Sequence, residues 1–596
     1  MAWARRQGSG GRTMTATASP RAVALYWRAG AWPRLRLARR GGGPAIAAAA
    51  RPGRSPEAAG ERPEVISPVS ADAPPGAQAQ DREARVRRWR SPGAWPLLAV
   101  LAVQAALSLQ LVRADTANQS EALYLHAGHL EWAHWLHGVT VPPFGSYFSG
   151  APVIYPPVGA AADSLGGLDA ARILSLVFML GATALLWSTA SRLFGRQAAF
   201  FSAALFALLG TTLHLGAFAT NDAMALFLIA LAAWCVVRAG GRGTGTGWMI
   251  AAAVALALAN AAAYSSTLFD LVVALLALLT TPRASGGLLA ARRVATLLIV
   301  TAALLAAGLL AGGADYRAGV KLTILTAVPG SASPLSVLAN SWYWAGLLLV
   351  LAVCGVAFSW AGRAPAAQTW LLAVLSAAAV IGPLEQAHLH TMASLYRHIG
   401  LGAWFAAISA GYAVDRFICA ASAGRTRTLT AGACVVALVF PAGVAFSQSW
   451  SLSTNWANAS SFIAIFRPLA DHGTGPMLVE DPSIAEYYLP AGAQWQRWSS
   501  TRNIVLTGGT NTGNPEPAAG LTGAGNPGVY ARYIKEGYFS LVALNFTDTT
   551  GLDQQIVADL RRNPHYHLID VVPYGIEIPP IGTGTYNIWR YEATTG

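Results

Sequence analysis

Apolar stretches long enough to cross a bilayer recur from Trp95 to about Gln448, and they constrain the fold more than any other feature of the chain. A helix needs roughly 20 apolar residues to span the hydrocarbon core. Charged residues make up only 12% of the chain, whereas soluble proteins carry about 25%. The sequence therefore predicts a polytopic α-helical membrane protein with about 11 transmembrane helices, at 95–112, 170–190, 198–217, 221–238, 247–264, 266–281, 292–311, 338–358, 368–384, 400–420 and 428–448.

Arginines in alternate loops set the expected orientation of this bundle. Because arginine and lysine are retained on the cytoplasmic side, we expect a cytoplasmic N-terminus and an extracytoplasmic segment 450–596 at the plasma membrane. The arginines that define the cytoplasmic side are Arg192, Arg196, Arg238, Arg242, Arg283, Arg292, Arg293, Arg363, Arg416, Arg425 and Arg427.

The formal net charge of +13 comes almost entirely from residues 1–94, which hold 17 arginines against 6 acids. This segment is rich in Ala, Gly and Pro and has no periodicity, so it is typical of a disordered cytoplasmic tail. Its charge therefore does not indicate a nucleic-acid partner. Two interpretations stay open, namely contact with anionic membrane lipid and translation that starts further downstream.

The first outer loop, 113–169 of the transmembrane domain 95–449, is far longer than a turn requires. Apolar and aromatic residues at helical spacing after Tyr124 indicate an interfacial helix. Asp115 lies at the exit of a span, where burial raises the pKa of a carboxyl group. That suits a general base that takes a proton from an acceptor hydroxyl, although an acid at a helix end often only solvates the loop. Glu121 is a second acid in this loop.

The run Tyr155-Pro156-Pro157 lies later in the same loop. Two consecutive prolines are expected to impose extended backbone and to stop any helix. The resulting rigid element either shapes a cavity or simply closes the loop.

Asp222 lies in a short outer turn at the start of a later span. Thr220 or Asn221 can cap the following helix, and the helix dipole favours a carboxylate in its first turn. This structural explanation is complete by itself. A functional role follows only if the turn faces the same outer cavity as Asp115.

Basic side chains on the outer face break the positive-inside tendency and therefore indicate an anionic partner. A pocket that binds a phosphate would explain them. These side chains are Arg317, Lys321, Arg397 and His398. Two further histidines, His388 and His390, raise the alternative of zinc, but no third ligand has a convincing spacing and no metal site is predicted.

Residues 450–596 are polar and glycine-rich, and they predict a small C-terminal α/β exterior domain. Glu480 and Asp481 end one strand, either as a ligand-facing pair or as solvated loop residues. We expect the domain to bind or orient an acceptor. The predicted strands are 477–480, 503–506, 539–543, 567–572 and 586–589, and the predicted helices are 482–489, 529–537 and 552–562.

Several of these motifs together resemble the GT-C glycosyltransferases that use polyprenyl-phosphate sugars, the class that contains protein O-mannosyltransferases and aminoarabinose transferases. The resemblance covers about residues 95–450. The sequence is similar to actinobacterial members with an exported C-terminal domain. The residues that carry it are Asp115, Glu121-Ala-Leu-Tyr124, Tyr155-Pro-Pro, Ala171-Arg172-Ile-Leu-Ser175, Thr220-Asn-Asp222-Ala, Gln386-Ala-His388-Leu-His390 and Ser394-Leu-Tyr-Arg397-His398.

The resemblance implies transfer of a sugar from a lipid-linked phosphate donor to a hydroxyl of a glycan or protein acceptor, with inversion. In that family an acid in the first outer loop activates the acceptor, and Asp115 occupies the matching place. The family often has adjacent acids, whereas here Asp115 and Glu121 are separated.

On this basis the expected catalytic residues are Asp115, Glu121 and Asp222, the donor-phosphate ligands are Arg317, Lys321, Arg397 and His398, and the cavity residues are Tyr124, Tyr155, His388 and His390. A divalent cation at Asp222 stays open. The alternative functions are a transporter or flippase, whose charges should lie mid-span in broken helices, and a membrane scaffold that displays the exterior domain.

Overall fold

Long apolar helices make up most of the chain, as its composition predicts. The computed structural model describes residues 95–113, 116–142, 153–240, 245–281, 286–325, 330–392, 394–422, 424–454, 458–473, 475–489, 494–501, 527–547, 549–576 and 582–593. The tail 1–94, Asp115 and the strand predicted at 503–506 lie outside these residues.

The helices up to the exterior domain are α1 (Trp95–Val112), α2 (Gln119–His137), α3 (Tyr155–Gly166), α4 (Leu168–Phe194), α5 (Arg196–Ala207), α6 (Gly210–Leu215), α7 (Asn221–Ala239), α8 (Gly245–Ala262), α9 (Asp270–Leu279), α10 (Gly287–Ala311), α11 (Gly313–Leu325), α12 (Pro334–Ala361), α13 (Ala366–His388), α14 (Leu395–Ala420), α15 (Arg425–Ala437) and α16 (Val439–Thr454). A 3-10 turn, Tyr264–Phe269, joins α8 to α9.

Eight helical segments of the described chain are long and apolar enough to cross a membrane: α1, α4, α7, α8, α10, α12, α13 and the continuous stretch Arg425–Ser451. The prediction of a polytopic helical membrane protein is confirmed. The other three predicted spans are also helical, and two of them differ from the prediction in length or regularity. The 198–217 segment divides into α5 and α6, and the 266–281 segment contains the ten-residue α9.

The third of these, α14, is largely buried at the centre of the bundle, where it packs against α5, α12 and α13. Trp404 and Phe405 are fully buried there, and the Phe405 ring stacks on Phe269. The middle of α14 is therefore part of the hydrophobic core of the bundle.

The first outer loop contains two helices, α2 and α3. The expectation that Tyr155-Pro156-Pro157 forms extended backbone was wrong, because the two prolines occupy the first turn of α3. Proline is tolerated there, since the first N–H groups of a helix have no partner within it. A side chain at Gly128 of α2 would collide with the Pro156 carbonyl, and Trp132 donates a hydrogen bond to the Pro157 carbonyl at 2.8 Å. The two helices therefore pack closely.

The exterior domain is an α/β unit, as predicted. Its five-stranded sheet has the order β2-β1-β3-β5-β4, in which β1 pairs in parallel with β2 and β3, while β5 pairs antiparallel with β3 and β4. Its elements are α17 (Ser460–His472), β1 (Met477–Val479), α18 (Ser483–Tyr488), β2 (Trp498–Ser499), α19 (Pro527–Lys535), β3 (Leu541–Leu544), α20 (Thr550–Arg562), β4 (Tyr566–Ile576) and β5 (Gly582–Tyr591).

Glu480 lies in the loop after β1 and is buried. Its carboxylate accepts hydrogen bonds from the amides of Asn545, Thr547 and Thr549 at 2.7, 2.8 and 3.1 Å. Asp481 accepts a bond from the amide of Ser483 at 3.1 Å. Both acids therefore organise loops at the carboxyl ends of the strands.

Candidate functional site

The N-terminus of α2 is built around Glu121. The side chain of Asn118 caps the helix by accepting a bond from the Glu121 amide at 3.0 Å, and the Glu121 carboxylate accepts one from the Asn118 amide at 3.1 Å. This reciprocal arrangement is a capping box. It fixes the start of α2 a few residues beyond Asp115.

Arg172, near the start of α4, forms a bidentate pair with Glu121. Its Nε and Nη2 donate to the two carboxylate oxygens, each at 2.8 Å, and both side chains are almost completely buried. Arg172 also donates to the carbonyls of Val112 and Thr116 at 2.9 and 3.2 Å. The Ala219 amide donates to Glu121 at 2.8 Å.

These contacts occupy both oxygens of Glu121 and tie four segments of the outer face together. The geometry therefore favours a positioning role for Glu121 over the catalytic role that the sequence suggested. Arg172 is among the residues that carry the family resemblance, but the sequence predicts no role for it. An arginine at the outer end of an apolar span, against the positive-inside tendency, is the signal that could have identified it.

Asp222 and Arg397 meet although they are far apart in the sequence. The Asp222 carboxylate lies 3.5 Å from an Nη atom of Arg397; Asp222 is buried, and the Arg397 side chain is 12% exposed. The Thr220 hydroxyl donates to Asp222 at 3.0 Å instead of capping α7, and the Asn221 side chain donates to the carbonyl of Ala262 at 2.7 Å. The expectation that one of these two side chains caps the helix was therefore wrong.

The guanidinium of Arg397 also reaches the first outer loop. Its Nη2 donates to the Ser120 hydroxyl at 3.2 Å and its Nε to the Tyr396 hydroxyl at 3.3 Å. The rings of Phe218 and Tyr396 lie 5.6 Å from its central carbon. The turn that contains Asp222 and the start of α14 therefore both lie against the first outer loop near Ser120.

Two tyrosines complete this cluster. The rings of Tyr124 and Tyr155 meet edge to face at 6.0 Å, and both residues are buried. Burial, together with the negative charge of Asp222, raises the pKa of Tyr124 to about 12 against the opposing effect of Arg397. Burial also raises the pKa of Tyr155. Both phenols are therefore neutral near pH 7 and can donate hydrogen bonds.

His398 and His390 of the α13–α14 region have separate hydrogen-bond partners. His398 bonds with Glu385 at 3.0 Å and with Gln386 at 3.1 Å, on the side of α14 that faces α13. His390 has a left-handed backbone with φ of 53° and bonds to the Ala332 carbonyl at 2.9 Å, while His388 is exposed. Among the described residues, no three His, Cys, Asp or Glu side chains are placed to hold a metal ion.

Arg317 and Lys321 lie exposed on α11. The neighbouring Tyr316 hydrogen-bonds to Tyr264. Tyr264 in turn lies close enough to Tyr124 for the two phenol groups to interact electrostatically. The start of α11 therefore approaches the buried cluster, and its two cations are outside that cluster rather than within it.

Comparison with known proteins bears on this architecture. The family model for dolichyl-phosphate-mannose-protein mannosyltransferases matches residues 165–312, which are 148 of the 596 residues. The crystal structure of ArnT from Cupriavidus metallidurans bound to undecaprenyl phosphate is similar with a TM-score of 0.52 and 15% sequence identity, covering 85% of this chain and 99% of ArnT. The chain therefore shares the fold of ArnT, and one stretch of it matches the mannosyltransferase family model.

Apo ArnT from the same organism gives a TM-score of 0.50 at 13% identity, covering 84% of this chain and 98% of that one. The archaeal oligosaccharyltransferase AglB from Archaeoglobus fulgidus, in complex with an inhibitory peptide and a dolichol-phosphate, gives 0.49 at 12% identity, covering 82% and 74%. No curated protein sequence matches the chain. The predicted resemblance to polyprenyl-phosphate-dependent glycosyltransferases is confirmed, while the individual site residues stay predictions.

Proposed function

We propose that this GT-C protein moves a sugar from a polyprenyl-phosphate-linked donor to a hydroxyl of a glycan or protein acceptor at the outer face of the plasma membrane. The observation that carries the proposal is the largely buried Asp222–Arg397 pair, which brings α7 and α14 against the first outer loop. It occurs in a fold shared with an ArnT structure that contains undecaprenyl phosphate. A buried cation at this place suits a lipid phosphate.

In this reaction Asp115 takes the proton from the acceptor hydroxyl, and the acceptor oxygen forms a bond to the anomeric carbon. The bond between that carbon and the phosphate oxygen breaks, so polyprenyl phosphate leaves with the electron pair. Attack from the opposite face gives inversion at the anomeric carbon.

Arg397 is proposed to stabilise the leaving phosphate, because cations aimed at developing negative charge lower the barrier. A guanidinium carries five N–H donors, and the contacts with Asp222, Ser120 and Tyr396 leave some of them for phosphate oxygens. Asp222 holds the guanidinium in place. Arg317, Lys321 and His398 are proposed as outer phosphate contacts, and Tyr124, Tyr155, His388 and His390 as cavity residues.

The topology proposed with this function has a cytoplasmic N-terminal tail 1–94, a transmembrane catalytic domain 95–449 and an extracytoplasmic domain 450–596. A membrane-embedded site suits a lipid donor, since the lipid chain can stay in the bilayer while its phosphate reaches the outer loops.

Lipid profiling tests the function whichever sugar the donor carries. In cells that lack the chain, we expect an unused polyprenyl-phosphate sugar to accumulate, measured by mass spectrometry of lipid extracts. Expression of the wild-type chain in these cells should remove the accumulated lipid. The control variant Asp169→Asn, which changes an exposed acid of the same loop, should also remove it. Asp115→Asn should not, although it reaches the membrane in equal amount.

Normal removal of the lipid by Asp115→Asn would reject Asp115 as the base. Movement of an intact lipid-linked sugar across the membrane, without its transfer to an acceptor, would instead support the flippase alternative.

A further inference from the structure

The exterior domain shares a hydrophobic core with the first outer loop. Ala117 and Ala122 are fully buried in one cluster with residues of α17 and β5, among them Phe462, Phe466 and Tyr586. The loop is therefore enclosed by the exterior domain as well as by the helical bundle.

Hydrogen bonds from this domain fall on the two residues that follow Asp115. The Ala117 amide donates to the Tyr488 hydroxyl at 2.7 Å, and the Ala459 amide donates to the Thr116 hydroxyl at 2.9 Å. Arg172 holds the Thr116 carbonyl from the membrane side at 3.2 Å. The chain is thus held from both sides directly after the proposed base.

Other contacts between the domain and this loop lie further from Asp115. Tyr487 donates to Asp163 at 2.7 Å, and Asp163 in turn contacts His129 at 2.7 Å. The Trp495 indole donates to the Thr140 carbonyl at 3.0 Å. Tyr488 therefore differs from these residues in acting on the backbone beside the proposed base.

We infer that Tyr488 and Thr116 are positioning residues, through which the exterior domain sets the place of Asp115 in the reaction. The inference rests on the proposed function of Asp115. Asp115 directly precedes Thr116 in the sequence, and consecutive Cα atoms of a chain lie about 3.8 Å apart. A small displacement of a catalytic group can reduce a rate by as much as about 100-fold.

The test uses the full-length chain in lipid vesicles. The donor probe is the polyprenyl-phosphate-sugar fraction extracted from cells lacking the chain, and the acceptor is a membrane extract of the same cells. We expect Tyr488→Phe to lower the rate at saturating donor about 10-fold and to leave the half-saturating donor concentration within about two-fold of wild type. If Tyr488 contributes only to stability, Tyr488→Phe should lower the amount of folded protein. The rate at saturating donor, per folded molecule, should then match wild type.

Tyr566→Phe is the matched control. It also removes a buried phenol that bonds to the backbone, since Tyr566 donates to the Phe539 carbonyl at 2.8 Å inside the exterior domain. We expect both kinetic parameters of the folded Tyr566→Phe variant to match wild type. A wild-type rate in folded Tyr488→Phe, or an equal loss in both variants, would overturn the inference.

Thr116 gives a second test in case Tyr488→Phe does not fold. Thr116→Val removes the hydroxyl that accepts the Ala459 amide bond at nearly constant volume, while Thr116→Ser keeps it. We expect the valine variant to lose rate and the serine variant to retain it; equal rates would overturn the inference. Asp115→Asn, assayed in parallel, separates the two proposals, because full activity there rejects the proposed function itself.

Discussion

Glu131 on α2 is a buried acid whose charge opposes folding. Its Oε2 atom has no hydrogen-bond partner among the described residues, and burial raises its pKa from 4.5 to about 7. The folded chain therefore binds this proton more tightly than the unfolded chain does. The resulting stabilisation is complete below about pH 4.5 and is lost as the pH rises through about 7. A pKa difference of this size corresponds to about 3 kcal/mol.

We predict that Glu131→Gln stabilises the protein at pH 8, by up to about 3 kcal/mol, because glutamine cannot ionise. At pH 4.5 the variant should match wild type. Thermal unfolding of the detergent-solubilised chain, followed at both pH values, measures this. The exposed Glu536 offers a control, since Glu536→Gln should show no such difference between pH 4.5 and 8. A stabilisation by Glu131→Gln that is equal at both pH values would contradict the prediction.

At this scale the sequence indicates types of residue better than their partners. Asp222 and Arg397 were singled out because charges are unusual beside outer span ends, and the structure brings these two together. The sequence could not show that Glu121 bonds to Arg172, because 51 residues separate them and only the fold makes them neighbours. It also could not show that His398 turns toward Glu385.

At the scale of the elements, the Glu121–Arg172 ion pair connects the outer ends of α1, α2 and α4 with the turn before α7. A buried ion pair gains little over an apolar pair of the same shape, but loss of one partner leaves a charge without compensation. The Glu121–Arg172 pair therefore fixes the relative placement of these elements more than it adds to the net stability of the fold.

We predict that Arg172→Leu and Glu121→Gln each destabilise the fold by about 3–5 kcal/mol. The double variant should lose less than the sum of the two single variants, since neither charge is then left buried alone. Thermal unfolding of the three variants measures this coupling. The exposed Arg562–Asp559 pair provides the control, and its removal should cost at most about 1 kcal/mol. Additive losses at Arg172 and Glu121 would contradict the prediction.

The elements themselves were mostly predictable, because apolar length and periodicity determine them locally. The prediction failed at Tyr155-Pro156-Pro157, where the same prolines that end helices also begin them, and packing against Gly128 decides between the two. The short strand β2 at Trp498–Ser499 was not predicted, since two residues carry no periodic signal.

In the whole molecule, the exterior domain and the arginine-rich loops lie at opposite ends of the bundle. Arg172 lies in the second turn of the 27-residue α4 and Arg192 in its last turn, so the helix separates them by about 30 Å. Arg172 contacts the segment that Tyr488 holds. Arg192 lies near Arg238, which stacks between Trp234 and Trp248 at 5.0 and 5.1 Å. This separation supports the orientation proposed from the positive-inside tendency.

Cysteine labelling tests that orientation on a chain whose four native cysteines are replaced by alanine. Gln555, an exposed residue of α20, and Arg196, an exposed residue at the start of α5, represent the two sides. We predict that a membrane-impermeant maleimide labels Gln555→Cys in intact cells and labels Arg196→Cys only after permeabilisation. The reverse pattern would place the Asp222–Arg397 cluster on the cytoplasmic side and would overturn the proposed topology. Labelling of both sites in intact cells would indicate leaky cells, which a cytosolic cysteine protein detects in the same experiment.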